Sequence, residues 1–289
     1  MLRMEKGPEN DSGAPLALKL AVIAGSGEIP RAVVMACKER GVLVFMLAFH
    51  GFTDPDVVAG CDHEWFSLGE VGRAINVLKN LGVKDIVMAG GGVVRRPSLF
   101  GLKLDKKGME LLSIIGLNWL GDNNVLVKIS QFLEKEGFVL RSPQEFMPSF
   151  VSSCIGAMGR VSPSEARLKD IALGREMLRH LSALDFGQGM AMQNGLVLGV
   201  EAAEGTDECI SRCGALQRNG EEGAVYVKRA KVGQDEKMDL PTIGPQTLKK
   251  IVIAGFSGIA FQTSKTIIVS PLEVATIADQ AGVFVWGSE

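Results

Sequence analysis

Short apolar runs alternate with segments of helical spacing along the first half of the chain. Residues 18–24 form a largely apolar run and predict a strand. Gly25, Ser26, Gly27, Glu28 and Ile29 supply the turn. Pro30 then suits the first helical position, where a missing N–H costs nothing. A helix to about residue 40 is stopped by Gly41. Residues 42–48 are wholly apolar, as a parallel strand covered on both faces requires. A helix near 70–80 stopped by Gly82, a strand at 85–89, a helix at 122–136 stopped by Gly137 and a short strand at 138–140 continue the alternation. This order predicts a doubly wound, Rossmann-like parallel sheet.

Residues 142–161 break the rhythm with Pro143, Pro148, Ser149, Ser152, Ser153, Gly156 and Gly159, the composition of a connector. Ser162-Pro163-Ser164-Glu165 opens a helix to about residue 184. Apolar runs on either side of Asn194-Gly195 predict a hairpin, because both turn residues need positive φ. A strand near 224–227, a helix over 245–254, strands near 259 and 267, a helix over 271–281 and a strand at 283–286 follow. The expected fold is α/β: a doubly wound domain at 18–147, a linker at 148–160, and a mixed α/β (α+β) domain at 161–289.

Composition narrows the function. Of 289 residues, 46% are apolar and 22% charged, which excludes general disorder. Thirty-one Lys and Arg against 33 Asp and Glu give a net charge of −2, too little positive field for nucleic acid. The apolar runs fall far short of the ~20 residues of a membrane helix. Residues 1–17 carry Glu5, Glu9 and Asp11, lack the apolar core of a signal peptide and read as a disordered extension. Five cysteines make no disulfide framework, and Cys209 and Cys213 lack a second pair for zinc; buried thiols in a reducing cytoplasm fit.

Two glycine-rich loops, Gly25 to Gly27 and Gly90-Gly91-Gly92, fall on the carboxyl edge of the first sheet. There a doubly wound fold opens its crevice and a helix end offers N–H groups to phosphate. A tight turn without ligand explains the same residues. The dinucleotide fingerprint is incomplete, since Pro30 replaces the third glycine and the second strand ends on Phe49-His50-Gly51 without an acid. An NAD(P)-dependent oxidoreductase is therefore the weaker alternative, and a non-catalytic nucleotide-binding module a further one. Arg95, Arg96, Lys103, Lys106 and Lys107, interleaved with leucines, suit phosphate, an anionic membrane surface or an ordinary solvated loop.

Glu201, Glu204 and Asp207 gather oxygen donors sufficient for magnesium around Gly205-Thr206, although Thr206 as a helix cap and Asp207 in the first turn need no ligand to explain them. Asp239 precedes Leu240-Pro241-Thr242-Ile243-Gly244-Pro245, where an acid caps a helix, binds a metal or polarises water. The three histidines, His50, His63 and His180, are scattered, and neither a GxxxxGK[ST] loop nor a GxSxG elbow occurs. Any hydrolysis falls to carboxylates and a metal.

Ile23 to Gly27 with Pro30, Gly121-Asp122, Glu134 to Phe138, Asp185-Phe186-Gly187-Gln188-Gly189, Glu201 to Asp207 and Asp239 to Gly244 resemble, in order, one family. They are similar to the cytoplasmic UDP-2,3-diacylglucosamine pyrophosphatases of Gram-negative lipid A synthesis, the branch unrelated to calcineurin-like phosphoesterases. The resemblance spans residues 18–287. It implies a nucleotide-binding N-terminal domain, a hydrolase C-terminal domain and a homodimer. It further implies Mg²⁺-dependent attack of water on the α-phosphorus, with UMP and 2,3-diacylglucosamine 1-phosphate (lipid X) as products. Peripheral association with the cytoplasmic face of the inner membrane is a further expectation.

The essential carboxylate and metal ligand would be Asp239, with Glu204 or Asp207 as further ligand candidates. Substrate contacts would fall on Gly25, Ser26, Gly27, Gly90, Gly91, Asp122, Gln188, Gly189, Glu204, Gly205, Thr206, Asp207, Thr242, Ile243 and Gly244. One departure is Asn123, where relatives often carry a second aspartate.

Overall fold

A computed structural model describes residues 19–90, 103–116, 122–147, 150–182, 187–231 and 240–289. The chain divides into two compact units, Met1–Asn118 with Val127–Phe146, and Trp119–Leu126 with Met147–Glu289. The two domains are α/β.

In the first unit, β1 (Lys19–Ala24), α1 (Ile29–Glu39), β2 (Leu43–Phe49), α2 (Pro55–Val58), β3 (His63–Phe66), α3 (Val71–Asn80), β4 (Asp85–Ala89), α4 (Lys106–Ile115), α5 (Asp122–Lys135, counted in this unit from Val127), β5 (Val139–Arg141) and α6 (Pro143–Phe146) follow one another. The sheet order is β3-β2-β1-β4-β5, and every pairing is parallel. Leu20, Val22, Met46, Ala48 and Val87 on one face and Ala21, Leu47 and Ile86 on the other are all buried, which is why β1 and β2 read as unbroken apolar runs. Strand order reverses between β1 and β4, so their connections leave the same carboxyl edge in opposite directions.

Lys106 and Lys107 do not lie in a solvated loop. They open α4, where Lys107 Nζ pairs with Glu110 (2.9 Å) and Glu136 (2.5 Å). Asp105 fixes that helix by accepting from Gly108 N (2.7 Å) through one oxygen and from Gly72 N in α3 (2.7 Å) through the other. Arg95, Arg96 and Gly91 lie outside the described residues.

The second unit contains β6 (Gly156–Ala157), α7 (Glu165–Leu181), β7 (Gly189–Gln193), β8 (Leu196–Val200), α8 (Thr206–Gly214), β9 (Val225–Lys228), β10 (Thr242–Ile243), α9 (Pro245–Ile253), β11 (Gly258–Gln262), β12 (Ile267–Ile268), α10 (Pro271–Ala281) and β13 (Phe284–Ser288). Its main sheet has the order β6-β13-β11-β9-β7-β8, parallel in the middle and antiparallel at both ends; β10 and β12 form a separate parallel pair. The described part of the expected linker is not a free connector. Its backbone is hydrogen-bonded into this unit: β6 lies against β13, and Ser152 N donates to Thr266 O at 3.0 Å.

Asn194 (φ 51°) and Gly195 (φ 78°) make the expected hairpin turn. The carboxylate of Asp170 accepts both their amides (2.8 and 2.6 Å) and pairs with Arg167 at 3.1 Å, with both side chains buried. Strand alternation then sorts the core. Val225 and Val227 face α7 with Ile171 and Leu178, while Tyr226 joins Ile210, Leu248, Ile251 and Val274 on the face covered by α8, α9 and α10.

Candidate functional site

On the carboxyl edge of the first unit, Gly25 N donates to Ala89 O (2.8 Å) and Gly27 N to the Asp54 carboxylate (3.3 Å). Gly27 has φ +87° and Gly90 φ +92°; a Cβ on Gly90 would stand 2.5 Å from the Ser26 carbonyl, so the two glycine loops touch and Gly90 must be glycine. Thr53 Oγ1 ties the β2–α2 connection to Ala24 O at 2.5 Å. Asp54 is the acidic residue that the end of β2 lacks in sequence; it comes five positions later and is brought back by the loop. Its charge already occupies the Gly27 amide, so a phosphate binding at that amide displaces a carboxylate. At the end of β2, the His50 ring stacks on Trp65 (5.1 Å between centroids, 24° between planes).

The second unit assembles a buried polar chain from motif residues and from Tyr226 and Lys228 of β9. Tyr226 OH and Thr206 Oγ1 donate to the same oxygen of Glu201, at 3.0 and 3.1 Å. Lys228 Nζ donates to Thr206 Oγ1 (2.9 Å) and to the Thr242 carbonyl (3.0 Å). The direction of each bond is fixed: an ammonium only donates and a carboxylate only accepts, so the Thr206 hydrogen points to Glu201. Burial, reinforced by the Glu201 charge, pushes the Tyr226 phenol well above its usual pKa, so it stays a donor.

Gly187 and Gly189 join this cluster through the backbone, while the Gln188 carbonyl between them accepts from Arg229 N (2.9 Å). Glu201 N donates to Gly189 O (2.8 Å) and Gly187 N to Glu201 O (3.0 Å). A Cβ on Gly189 would overlap the Tyr226 hydroxyl and lie 2.5 Å from Glu201 Oε2. Thr206 is not the helix cap expected from sequence. Gly205, at φ +84°, takes the N-cap position, and Thr206 is the first residue of α8 with its hydroxyl turned to Glu201 and Lys228. Gly244 likewise caps α9, and Ile243 is buried in the core.

Glu204 is clamped by Arg212 Nε (3.0 Å) and Nη2 (2.8 Å). Partial burial pushes its carboxyl up, but the Arg212 and backbone hydrogen bonds outweigh it and hold the pKa below the usual range. Asp207, in the first turn of α8, accepts from Thr247 Oγ1 at 3.4 Å. No group of three or more His, Cys, Asp or Glu able to hold a metal occurs among the described residues. Magnesium takes one or two carboxylates with waters and phosphate oxygens, so Asp207 suits it, while Glu204 would first have to leave Arg212. Cys209 and Cys213 are buried free thiols, and the hydrogen bond between them, reinforced by burial, raises the Cys209 thiol. Asp239 and Gly121 lie outside the described residues, as does the side chain of Asp122; Tyr226 and Lys228, which sequence reasoning did not single out, are central.

The family model described as the LpxI N-terminal domain matches residues 19–150, and that described as the LpxI C-terminal domain matches 155–286. The chain belongs to the LpxI family. Within it, UDP-2,3-diacylglucosamine pyrophosphatase LpxI of Caulobacter vibrioides is 33% identical over 277 residues, covering 93% of this chain and 97% of its own length. Likeness to solved structures is slight. The structure of gox2253 has a TM-score of 0.34 at 11% identity over 93% of this chain and 78% of its own. A biotin carboxylase domain of Hydrogenobacter thermophilus 2-oxoglutarate carboxylase has a TM-score of 0.27 at 13% identity over 64% of this chain, which spans 38% of that structure. LpxI membership thus agrees with the motif resemblance.

Proposed function

We propose that the chain hydrolyses the diphosphate of UDP-2,3-diacylglucosamine. Water attacks the α-phosphorus, the bond from that phosphorus to the bridging oxygen breaks, and UMP and 2,3-diacylglucosamine 1-phosphate (lipid X) leave. The observation that carries the reading is the end-to-end LpxI match, with a relative named for this activity. The chemistry of the second unit supports it. The Gly205-Thr206 and Gly244-Pro245 ends of α8 and α9 present partial positive charge, which suits phosphate oxygens.

Asp239 is the essential carboxylate in this reading, and Asp207 the further carboxylate that would hold Mg²⁺. When bound, the ion would neutralise the diphosphate and the charge gained at the attacked phosphorus. Uridine is assigned to the first unit's glycine loops at Gly25 to Gly27, Gly90 and Gly91, with Asp54 as the carboxylate it meets. The proposal includes a homodimer in the cytoplasm, with peripheral attachment to the inner membrane where the lipid substrate resides. No helix among the described residues is long and apolar enough to cross a membrane.

The test is UMP release from UDP-2,3-diacylglucosamine by the purified chain. Release with Mg²⁺, abolished by chelation and nearly eliminated in Asp239→Ala while substrate still binds, is expected. Full activity in Asp239→Ala removes Asp239 from the reaction, and tight UDP binding without turnover refutes hydrolysis.

A further inference from the structure

The second unit buries an ammonium and a carboxylate and inserts a hydroxyl between them. Lys228 and Glu201 are 5% and 7% exposed. Among the described residues, every hydrogen bond of Lys228 ends on a neutral oxygen, and the side chain of Glu201 receives only the neutral hydroxyls of Tyr226 and Thr206. Burying a charge is unfavourable unless it is met by its opposite, and among the described residues neither of these makes a direct ion pair. A neutral donor could tie Thr206 to Thr242 as well, so what Lys228 adds at this place is its charge, set across one hydroxyl from Glu201.

Its place is informative. Thr206 is the first residue of α8, and Thr242, on β10, stands two residues before the cap of α9 and three after Asp239. One ammonium therefore joins the leading ends of two helices, both of which the proposed reaction assigns to phosphate. We infer that Lys228 is a positioning residue for the hydrolysis: it holds the Thr242 carbonyl against Thr206 and adds fixed positive charge behind the two helix ends. This inference rests on the pyrophosphatase reading above. Since misplacing reacting groups by ~1 Å lowers turnover about 10²-fold, its loss acts on turnover more than on lipid binding.

The experiment measures kcat and KM for UMP release in Lys228→Met and Lys228→Arg, with folding checked by circular dichroism and melting. Lys228→Met is expected to lower kcat about 100-fold with KM within about threefold, and Lys228→Arg, which keeps the charge and donors, to recover about tenfold of that loss. A kcat within about threefold of wild type, or a loss lying wholly in KM, overturns the inference. If Lys228→Met does not fold, Thr206→Val and Thr206→Ser replace it. The valine variant, which removes the hydroxyl Lys228 donates to, should fall about tenfold below the serine variant, and equal rates overturn the inference. A wild-type chain that releases no UMP refutes the pyrophosphatase reading alone. Hydrogen exchange over residues 240–253 then decides, with faster exchange in Lys228→Met or Thr206→Val expected and unchanged exchange overturning the clamp.

Discussion

Tyr226 is the only tyrosine of the chain, so its ionisation can be followed without a competing signal. Its hydroxyl is buried and donates to Glu201 Oε2 at 3.0 Å, leaving Thr206 as the other side-chain donor to that carboxylate among the described residues. Replacing it by phenylalanine keeps the ring and leaves no cavity, so the loss is that of a hydrogen bond to a buried charge, about 1.5–3 kcal/mol. For a domain of this size that lowers Tm by about 4–10 °C. The pH dependence follows from burial and the Glu201 charge, which raise the folded-state pKa above the ordinary 10.0. Below 10.0 both states carry the phenol and the stabilisation is complete. Above it the unfolded chain ionises first, and stability falls by about 1.4 kcal/mol per pH unit until the folded pKa is reached. The assay is near-ultraviolet absorbance of tyrosinate during an alkaline titration, with circular dichroism in parallel. Tyrosinate should emerge only as the second unit unfolds, and Tyr226→Phe should lack this component of the alkaline slope. Ionisation near 10.0 in a chain that stays folded would refute the buried Tyr226–Glu201 bond.

Three further outcomes are expected. Gly90→Ala should destabilise the first unit by at least about 2 kcal/mol, from a left-handed φ of +92° and a Cβ 2.5 Å from Ser26 O; an unchanged melting curve would contradict the contact between the glycine loops. Asp170→Ala removes the acceptor of two turn amides and leaves buried Arg167 with only the more distant, partly exposed Glu222 (3.7 Å) as an ion partner, which should lower stability by about 3 kcal/mol in urea unfolding, against less than about 1 if the pair is incidental. Asp105→Ala uncaps α4 and releases the Gly72 amide of α3, a loss of about 2 kcal/mol that hydrogen exchange should localise to those two helices; exchange confined to α4 would show the bridge to be unimportant.

Much of the architecture is legible in the chain because strands buried on both faces must be apolar throughout, as in β1 and β2, and because Asn194-Gly195 can turn only one way. β3 escapes that logic: it is an edge strand beginning His63-Glu64, with no apolar run to declare it. Helix α4 hides behind Lys106 and Lys107, and its cap acts through Gly72, some thirty positions away in sequence. In the second unit, motif residues mark Gln188-Gly189, Glu201, Thr206 and Thr242. Tyr226 and Lys228 read as the tail of an apolar strand; only the strand register and the arrival of two distant segments give them partners. Asp54 is hidden for a similar reason, since a loop rather than the end of β2 carries it to Gly27.

The most direct test of the proposed reaction is hydrolysis of UDP-2,3-diacylglucosamine in heavy-oxygen water, with both products weighed by mass spectrometry. UMP carrying one heavy oxygen, beside unlabelled diacylglucosamine phosphate, is the predicted result. Label on the lipid phosphate instead, or no cleavage at all, would contradict attack of water on the phosphorus next to uridine.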